Sequence, residues 1–597
     1  MSDALFAAFD FPRHPLARED GERLRGGWST PPDEWLLARQ PAELAGVIDA
    51  AHAAARAGAW VLGGLRYEAA PALNPVLEGE PAEGLLAAFA VYRRAPQDWP
   101  EPGPERPRCQ PWVQGLHDPA RDAEHIEAVR AAIRAGDCYQ INLTTRLLCT
   151  LEAGVGLDEL FRALHAAQPG GFSLFLRQLG DEPGVASVSP ELFFDWRPLP
   201  DHGKTWILAA QPMKGTAPRG ADRASDEAAQ TYLRTSEKER AENLMIVDLL
   251  RNDLGQVARI GSVRVPRLFE LHELPTVWQM TSTVTAITQP GAGLAQLFAA
   301  LFPCGSVTGA PKRRAMQLIR ELEAAPRGWY CGALGLMQPG GATTFNVPIR
   351  TVEQRPGGAL RAGVGSGITL DSEPAAELAE WQAKTRFLER ARAPIAGIET
   401  LRLQDGQYPQ GAAHLARLAR CAKHFGLGFE RASVQAALDA VAAAHPQGLW
   451  RVRLQLGRTL QTECQPLEPT PEPVRLAVAL GPIATGGLAR EFLEYKTTRR
   501  EAYEALLAHK PPEAFDLILY NAQGELTECG RGNLALCIDG AWLTPRLEAG
   551  LLPGVGRAYW LAQGRIREAR LLREDLQRAS AFAWFNALRG WLEAELL

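Results

Sequence analysis

Apolar and polar residues alternate along several stretches of the chain, as they do in β-strands with one buried face. WRVRLQLG (450–457) and VRLAVAL (474–480) show this period of two and are predicted to be strands. HLARLARCAKHFG (414–426) has apolar residues every three or four positions, which predicts a helix that ends at Gly426. Both halves of the sequence mix the two patterns, so we expect helices and strands throughout.

Prolines mark the predicted module boundaries. A long helical pattern stops at ARAPI (391–395), and the strand-like run IETLRL (398–403) follows it. We therefore predict two modules, residues 1–392 and residues 396–597. The proline-rich strips 97–112 and 465–474 are predicted to be extended connectors. The first of these would join an N-terminal region, up to about residue 110, to a core that spans about residues 110–390.

Composition narrows the class of protein without identifying it. The 597 residues carry a net charge of −5, with 46% apolar and 22% charged residues, which is typical of soluble globular proteins and gives no sign of a nucleic-acid partner. Nine scattered cysteines without a C-x-x-C motif favour a reducing compartment over a disulfide framework. No signal-peptide pattern and no run of 18 apolar residues is visible, so we expect a cytoplasmic location and no membrane partner.

One lysine, Lys214, stands in the middle of a stretch rich in proline and glycine, QPMKGTAPRG (211–220). Its glycines can take positive φ and its prolines fix φ elsewhere, so we predict a tight, rigid turn. A solvent-exposed lysine is the ordinary interpretation of such a turn.

Two pairs of glutamates lie near the starts of two predicted helices. The residues are Glu239 and Glu242 on the first helix and Glu377 and Glu380 on the second. Ser236 with Glu239 fits a capping box, and Pro374 suits a first helical turn. The spacing is compatible with capping, with dipole compensation and with an ion pair between Glu380 and Lys384. It is equally compatible with four carboxylates that converge on one Mg²⁺, so spacing alone leaves the alternatives open.

Seven motifs, in order, resemble those of the chorismate-utilising enzymes, and most closely the branch that contains aminodeoxychorismate synthase component I. They are GDCYQINLT (136–144), SPELFF (189–194), PMKGTAPRG (212–220), ERAENLMIVDLLRNDLG (239–255), GSVTGAPK (305–312), IRTV (349–352) and GSGITLDSEPAAELAE (365–380). GGLRYEAAPAL (63–73) matches the weaker N-terminal region of the family. The resemblance implies an α+β fold of two packed antiparallel sheets with helices outside them.

The resemblance also implies individual roles. It implies that Mg²⁺ is bound directly by Glu242 and Glu380, and through water by Glu239 and Glu377. It implies a pocket for chorismate lined by Arg350, Tyr330, Thr308 and the backbone N–H groups around Ser366 and Gly367. Arg350 would bind the ring carboxylate, since a planar guanidinium matches two carboxylate oxygens. Glu191 would be the general acid that protonates the departing 4-hydroxyl.

Lys214 separates two branches of this family. The relatives that form anthranilate carry a small residue here, whereas the aminodeoxychorismate synthases carry lysine. The implied mechanism has Lys214 attack C2 of chorismate, after which ammonia attacks C4 and expels the lysine. The family often has histidine where Gln279 stands, so no acid–base work is assigned to that position.

The second module carries other motifs, which resemble the fold-type IV pyridoxal-phosphate enzymes and most closely aminodeoxychorismate lyase. They are IETLRLQDGQ (398–407), HLARLARCAKHFG (414–426), EYKTTRR (494–500), GELTECGRGNLAL (524–536), GLLPGVGR (550–557) and FNALRGW (585–591). The resemblance implies that Lys496 forms the Schiff base with the cofactor and that Glu528 pairs with its pyridinium nitrogen. Arg417 and the N–H groups of Val555 and Gly556 would bind its phosphate.

Some positions depart from that pattern or stay without a role. The family usually has a hydroxyl residue where Gly556 stands, and the resemblance assigns no role to Asn533 and Asn586. The family's first strands are absent, so the module is shortened, and part of its pocket would come from the first module or from a second subunit of a homo-oligomer.

Three readings of the second module therefore stay open. It is an active lyase, a fold-type IV aminotransferase, or a structural and binding module without catalysis; the retained lysine, glutamate and phosphate site favour the lyase. No G-x-C-x-G elbow of a glutaminase is visible. The expected ammonia source is a separate glutamine amidotransferase subunit.

Overall fold

The computed structural model describes residues 4–15, 22–98, 105–114, 119–199, 205–219, 223–273, 277–485 and 489–597. The chain divides into two compact units, Met1–Ala393 and Pro394–Leu597. All nine cysteines lie in the described ranges and are free thiols. Within those ranges, none of the helices combines the length and the apolarity needed to cross a bilayer.

Two antiparallel sheets packed face to face form the first unit. In sheet order, one contains Gly309–Ala310, Gln140–Thr150, Ala359–Ile368, Thr351–Gln354, Glu182–Ser189, Phe172–Leu179, Ala7–Pro12 and Arg23–Trp28, with Val113–Gln114 beside Gln140–Thr150. The other contains Met213–Pro218, Val277–Ile287, Trp206–Gln211, Leu192–Pro198, Thr343–Asn346, Ala333–Met337, Trp60–Leu65, Ala87–Tyr92 and Glu34–Ala38, with Arg264–Glu273 beside Val277–Ile287. Leu62, Leu174 and Leu336 are among the fully buried side chains between the sheets. The N-terminal strands are part of both sheets, so the N-terminal region and the core share one framework.

Helices cover the outer faces of both sheets, as apolar clusters that join helix and strand residues show. They are Pro41–Arg56, Ala70–Leu73, Pro119–Arg134, Leu157–Ala167, Arg223–Thr235, Glu237–Gly255, Leu294–Leu301, Lys312–Glu323, Pro374–Lys384 and Arg386–Arg392, with the 3₁₀ turns Tyr67–Ala69 and Gly305–Val307. The predicted α+β arrangement of two packed antiparallel sheets with outer helices is confirmed.

The stretch around Lys214 is not the tight turn that its glycines and prolines predicted. Met213–Pro218 is a strand that pairs with Val277–Ile287, and the register shifts in the interval that contains Lys214 and Gly215. Gly215 takes a φ of 96° inside this bulge, whereas Gly220 lies outside the described residues. The prediction was wrong because pairing with a strand distant in sequence holds the backbone extended.

The local signals for helix ends were more reliable. Ser236 caps the helix Glu237–Gly255, since its Oγ accepts a hydrogen bond from Glu239 N at 3.3 Å. Pro374 occupies the first turn of its helix, and Gly426 ends Gly411–Phe425 with a φ of 67°. The positions of Ser236, Pro374 and Gly426 are confirmed because capping depends on residues that are adjacent in sequence. Of the predicted capping box, the described residues show only the bond from Glu239 N to Ser236.

The second unit contains a three-stranded antiparallel sheet and an eight-stranded mixed sheet. The small sheet has the order Gly397–Gln404, Leu449–Leu456, Leu460–Pro466. The large sheet has the order Leu526–Cys529, Asp516–Tyr520, Val474–Val478, Gly590–Leu596, Ala581–Asn586, Asn533–Ile538, Ala541–Pro545, Arg567–Ala569. The helices are Gly411–Phe425, Arg431–Ala444, Ala489–Glu494, Glu501–Leu507 and Val555–Ala562, with the 3₁₀ turns Leu547–Ala549 and Arg573–Gln577. The strands predicted from 450–457 and 474–480 are both present.

Candidate active sites

The backbone around Lys214 is held by side chains from two other elements. Asn243, on the helix Glu237–Gly255, donates from Nδ2 to Lys214 O at 3.1 Å. Gln279 donates from Nε2 to Gly215 O at 2.9 Å and accepts from Thr216 Oγ1 at 2.9 Å. Gln279 therefore clamps the bulged strand through neutral hydrogen bonds, which a residue that never titrates keeps at any pH.

The side-chain ends of Gln140 and Lys214 both approach the backbone of Gly367, on the strand Ala359–Ile368. A Cβ on Gly367 would lie 3.0 Å from Lys214 Nζ and 2.0 Å from Gln140 Nε2. Gln140 is 1% exposed, and neither amide atom has a hydrogen-bond partner among the described residues. A buried amide without partners is costly, so a bound polar molecule is the natural partner. Gln140 lies inside the motif GDCYQINLT (136–144), but only its approach to Gly367, far away in sequence, distinguishes it from its neighbours there.

Glu191 and Arg350 start from neighbouring backbone segments. Val347 N donates to Glu191 O at 3.0 Å, and Val188 N donates to Arg350 O at 3.1 Å. The Glu191 side chain is 5% exposed, and its Oε1 has no hydrogen-bond partner among the described residues. Burial raises the pKa of Glu191, which keeps its proton to a higher pH than an ordinary glutamate does. A protonated carboxyl in this position can serve as a general acid.

Arg350 combines an uncompensated charge with an unusual backbone. Burial lowers the pKa of its guanidinium to about 10, and no charged group counters that effect. Its φ is 50°, in the left-handed region that residues with a side chain seldom adopt. Such conformations persist where the surrounding fold imposes them, often at binding sites. A half-buried guanidinium that has no carboxylate partner among the described residues can bind an anionic ligand.

The four glutamates on the two helices influence one another electrostatically. Burial raises the pKa of Glu242, and the negative charges of Glu239 and Glu377 add to the rise. Burial also raises the pKa of Glu239, with a contribution from Glu380. The two helices therefore bring both predicted pairs to one place, which spacing alone could not show.

Three of these carboxylates also have partners within the protein, and the first is Glu239, which accepts a hydrogen bond from Tyr232 Oη at 3.4 Å. Glu377 accepts hydrogen bonds from Ser366 Oγ and, at 2.7 Å, from Ser372 Oγ. Glu380 forms the ion pair with Lys384 that its spacing allowed, at 2.7 Å. Among the described residues, no three His, Cys, Asp or Glu side chains are grouped tightly enough to hold a metal by themselves. Mg²⁺ needs only one or two direct protein ligands, and a cation would compensate the mutual repulsion that helps to raise the pKa values of Glu239 and Glu242. The residues present thus fit a hydrated Mg²⁺.

The remaining predicted pocket residues are buried and engaged in the fold. Thr308 Oγ1 donates to Cys304 O at 3.1 Å, which closes a 3₁₀ turn. Ser366 Oγ accepts from Trp381 Nε1 at 2.7 Å. The Tyr330 ring packs so tightly on Gly363 that a Cβ there would lie 2.3 Å from it. Substrate binding by these residues stays a prediction.

Lys496 lies in the second unit in a surrounding rich in positive charge. The pKa of its amine is lowered to about 8, chiefly by burial. The positive charges of Arg417 and Arg500 contribute to the lowering, and their effect exceeds the opposite effect of the negative charges of Glu399 and Glu528. Its carbonyl accepts a hydrogen bond from Ile398 N at 2.9 Å. An amine with this pKa is neutral, and therefore nucleophilic, in about a tenth of the molecules at pH 7, which is far more than for an ordinary lysine.

Arg417 is anchored by a buried carboxylate that the sequence analysis did not select. It donates to Glu399 from Nε at 2.8 Å and from Nη2 at 2.6 Å, and His414 Nδ1 lies 2.6 Å from the same carboxylate. Burial by itself would raise the pKa of Glu399, but Arg417 and His414 lower it to about 2. The described residues provide no hydrogen-bond acceptor for Nη1 of Arg417. The three-residue spacing of His414 and Arg417 on one helix was the signal that could have revealed this group.

The predicted phosphate cradle, Val555 and Gly556, lies at the start of the helix Val555–Ala562. No side chain caps it, so the first backbone N–H groups are available to an anion. A Cβ on Gly556 would lie 2.7 Å from Ala587 N and 2.7 Å from Asn586 C. A hydroxyl residue, usual in the family at this position, would displace that backbone. The cradle thus fits a phosphate through backbone donors.

Two asparagines without an assigned role shape the loops beside this cradle. Asn586 Oδ1 accepts hydrogen bonds from Leu588 N at 3.0 Å and Arg589 N at 2.8 Å. Asn533 Oδ1 lies 2.3 Å from the position that a Cβ on Gly554 would take. Asn586 therefore positions backbone next to the helix start, and Asn533 packs against Gly554, the residue before the helix.

Glu528 lies in the same unit and is 6% exposed. Burial raises its pKa to about 7. Tyr503 Oη donates to Glu528 Oε1 at 2.7 Å, a contact that no sequence motif had indicated.

Two family models match the chain. The one described as chorismate binding enzyme matches residues 30–390, and the one described as amino-transferase class IV matches residues 397–596. Aminodeoxychorismate synthase component 1 of Klebsiella aerogenes is 44% identical over 43% of this chain and 54% of its own length. Anthranilate synthase component 1 of Streptomyces coelicolor is 37% identical over 53% of this chain and 58% of its own length. The chain thus spans little more than half the length of these relatives.

A solved structure supports the fold of the first unit. A protein from Bacillus anthracis described as a 2,3-dihydroxybenzoate-specific isochorismate synthase matches with a TM-score of 0.51 at 20% identity. The match covers 66% of this chain and 97% of that protein.

Proposed function

The chain belongs to the chorismate-binding enzymes, and we propose that it is a bifunctional enzyme that makes 4-aminobenzoate. The first unit would convert chorismate and ammonia to 4-amino-4-deoxychorismate, and the second would release pyruvate from that product. The observation that carries the proposal is the position of Lys214 Nζ against Gly367, beside the unpartnered amide of Gln140.

In the first reaction, Arg350 binds the ring carboxylate of chorismate with two parallel hydrogen bonds. Lys214 Nζ forms a bond to C2 as the ring double bond shifts and the C4–O bond breaks. Glu191 supplies the proton with which the 4-hydroxyl leaves as water. Ammonia then bonds to C4, the double bond shifts back, and the C2–N bond breaks to free Lys214.

Two cofactors complete the proposal. Glu242 and Glu380 would hold Mg²⁺ directly, and Glu239 and Glu377 through water; when bound, the ion supplies positive charge for the carboxylate of the substrate. In the second unit, the family match implies pyridoxal phosphate, which supplies an electron sink when bound. Arg417, Val555 N and Gly556 N would bind its phosphate, and Glu528 would face its ring nitrogen. Lys496 would hold it covalently and then carry a proton between carbon atoms of the substrate.

Ammonia would come from a separate glutamine amidotransferase subunit. The component 1 relative from Klebsiella aerogenes supports this assignment by its name. The pure chain should therefore use ammonia and not glutamine, and a pull-down should recover the amidotransferase. Glutamine use by the pure chain would refute a separate subunit.

One experiment tests the whole assignment. The purified chain receives chorismate, ammonia, Mg²⁺ and pyridoxal phosphate, and the products are separated and identified. We expect 4-aminobenzoate and pyruvate in equal amounts, and 4-amino-4-deoxychorismate alone when the second cofactor is omitted and removed. Formation of 2-aminobenzoate would instead indicate an anthranilate synthase. Accumulation of the intermediate with the cofactor present, combined with turnover of an amino donor, would indicate an aminotransferase in the second unit.

A further inference from the structure

The two carboxylate oxygens of Glu528 have unequal surroundings. Tyr503 Oη donates to Oε1 at 2.7 Å, and Leu552 N donates to the same oxygen at 3.0 Å. Among the described residues, no hydrogen bond reaches Oε2. Two donors that converge on one oxygen fix the orientation of the carboxylate plane and leave the second oxygen for another partner.

Tyr503 is itself rigidly held. It is 4% exposed, and it lies on the short helix Glu501–Leu507. The Arg500 guanidinium stacks 4.4 Å from the centre of its ring and donates to Gly530 O at 2.7 Å. Burial, together with the nearby charge of Glu528, raises the pKa of Tyr503 well above its usual range, so the phenol remains a donor at every pH at which the protein is folded.

We propose that Tyr503 is a positioning residue that aims Glu528 Oε2 at the ring nitrogen of pyridoxal phosphate and keeps the carboxylate ionised. This inference rests on the proposed function, because it requires that the second unit binds that cofactor. Tyr503 thus joins Lys496, Glu528 and the phosphate cradle in the cofactor site, and it acts only through Glu528.

The electrostatic part of the inference follows from the groups that face Glu528. Burial favours its protonated form, whereas the hydrogen bonds from Tyr503 and Leu552 N and the charges of Arg500 and Lys496 favour its ionised form. Removal of the phenol hydroxyl takes away one stabilising donor. The pKa of Glu528, already about 7, must then rise, and the ionised carboxylate that a ring N–H⁺ requires becomes scarcer near neutral pH.

The test is Tyr503→Phe in the full chain, with binding of pyridoxal phosphate measured by its visible absorbance. We expect affinity at pH 7 to fall about tenfold, which is the usual cost of one hydrogen bond to a charged group, and the pH titration of the absorption band to move to higher pH. Tyr408→Phe is the matched control, because Tyr408 Oη donates to a backbone carbonyl, Leu438 O, at 3.0 Å. It should bind the cofactor as the unaltered chain does.

Combining Tyr503→Phe with Glu528→Gln separates a positioning role from a general effect on folding. The side chain at position 528 cannot ionise in Glu528→Gln. Adding Tyr503→Phe to that variant should therefore lower the affinity for pyridoxal phosphate by less than about twofold, whereas two independent effects would add in full. A full tenfold loss there, or unchanged affinity and titration in Tyr503→Phe alone, would overturn the inference. Failure of the unaltered chain to bind pyridoxal phosphate would overturn the proposed function and this inference together. Formation of 4-amino-4-deoxychorismate by every variant shows that the first unit is folded, and a cooperative denaturant transition of the second unit shows the same there.

Discussion

Two lysines, one in each unit, are proposed to bond covalently to a small molecule, and their surroundings are opposite. Lys214 stands on a bulged strand near four carboxylates and an unpartnered amide, Gln140. Lys496 stands among arginines, and its amine has a pKa of about 8. The same side chain therefore occupies a negatively charged site in one unit and a positively charged site in the other.

The comparison shows where each site leaves charge unbalanced. In the first unit, Glu239 and Glu242 have raised pKa values and Arg350 has no carboxylate to pair with, so the site suits a cation together with an anionic substrate. In the second unit, Arg417 is already paired with Glu399, and the donors left for an anion are Nη1 of Arg417 and backbone N–H groups at a helix start. Positive charge there is held in place before any phosphate binds, and together with burial it lowers the pKa of the neighbouring amine.

The largest expected effect comes from removing either lysine. Lys214→Ala should lower formation of 4-amino-4-deoxychorismate by about 10⁴-fold or more, or redirect amination to C2, because the covalent step is lost. Conversion of supplied 4-amino-4-deoxychorismate should be unchanged. Lys496→Ala should show the reverse pattern, so each variant controls the other in product assays. If Lys214→Ala still aminates chorismate at C4 at the normal rate, Lys214 does not form the covalent bond, and the comparison of the two lysines fails.

Glu191→Gln should lower the first reaction by about 10² to 10⁴-fold, as loss of a general acid does. Because burial raises the pKa of Glu191, the unaltered chain should lose activity as pH rises through a value above the usual glutamate range. That limb of the pH profile of kcat/KM should be absent in Glu191→Gln, while the second reaction keeps its own profile. If that limb is unchanged in Glu191→Gln, another group supplies the proton.

Glu399→Gln should destabilise the second unit by about 3–5 kcal/mol, since it leaves Arg417 and His414 buried without their carboxylate. The folded pKa of Glu399, about 2, lies below the ordinary value of about 4.3. Its stabilising contribution is therefore fully present above that ordinary value and is lost as pH falls through the folded pKa. Denaturant unfolding at several pH values measures this.

The control for that change is Glu380→Gln in the first unit. Its ion pair with Lys384 has side chains that are 51% and 40% exposed, so the loss should be no more than about 1 kcal/mol. Equal losses in the two variants would contradict the difference in burial between the sites.

The smallest expected effect is on the way in which the rate of pyridoxal phosphate binding to Lys496 depends on pH. Below pH 8 the rate at which pyridoxal phosphate bonds to Lys496 should rise about tenfold per pH unit, and above a pKa of about 8 it should level off, because the neutral amine is the nucleophile. Stopped-flow absorbance measures this rate, with Lys496→Ala as the blank. A midpoint near the ordinary lysine pKa of about 10.4 would show that the arginines do not set the charge of this amine.

Much of the site could be predicted because its residues belong to motifs. Glu191, Arg350 and the four glutamates are in recognisable stretches, and the structure brings both glutamate pairs to one place. Gln140 and Glu399 also lie inside such motifs, 136–144 and 398–407, but nothing in a motif distinguishes them from their neighbours, and Tyr503 lies in none of the motifs. Each is important only through a contact with a residue far away in sequence, such as Tyr503 with Glu528.

The sequence by itself determined the two-part organisation, the α+β class of the first unit, the helix caps and the family, because these depend on local patterns and ordered motifs. Only the tertiary structure decided the conformation around Lys214. Local preferences of glycine and proline predicted a turn there, but pairing with Val277–Ile287 and the clamps from Asn243 and Gln279 make it a bulged strand. Backbone hydrogen bonds to a distant strand outweigh local turn preferences, and their partners cannot be deduced from the ten residues themselves.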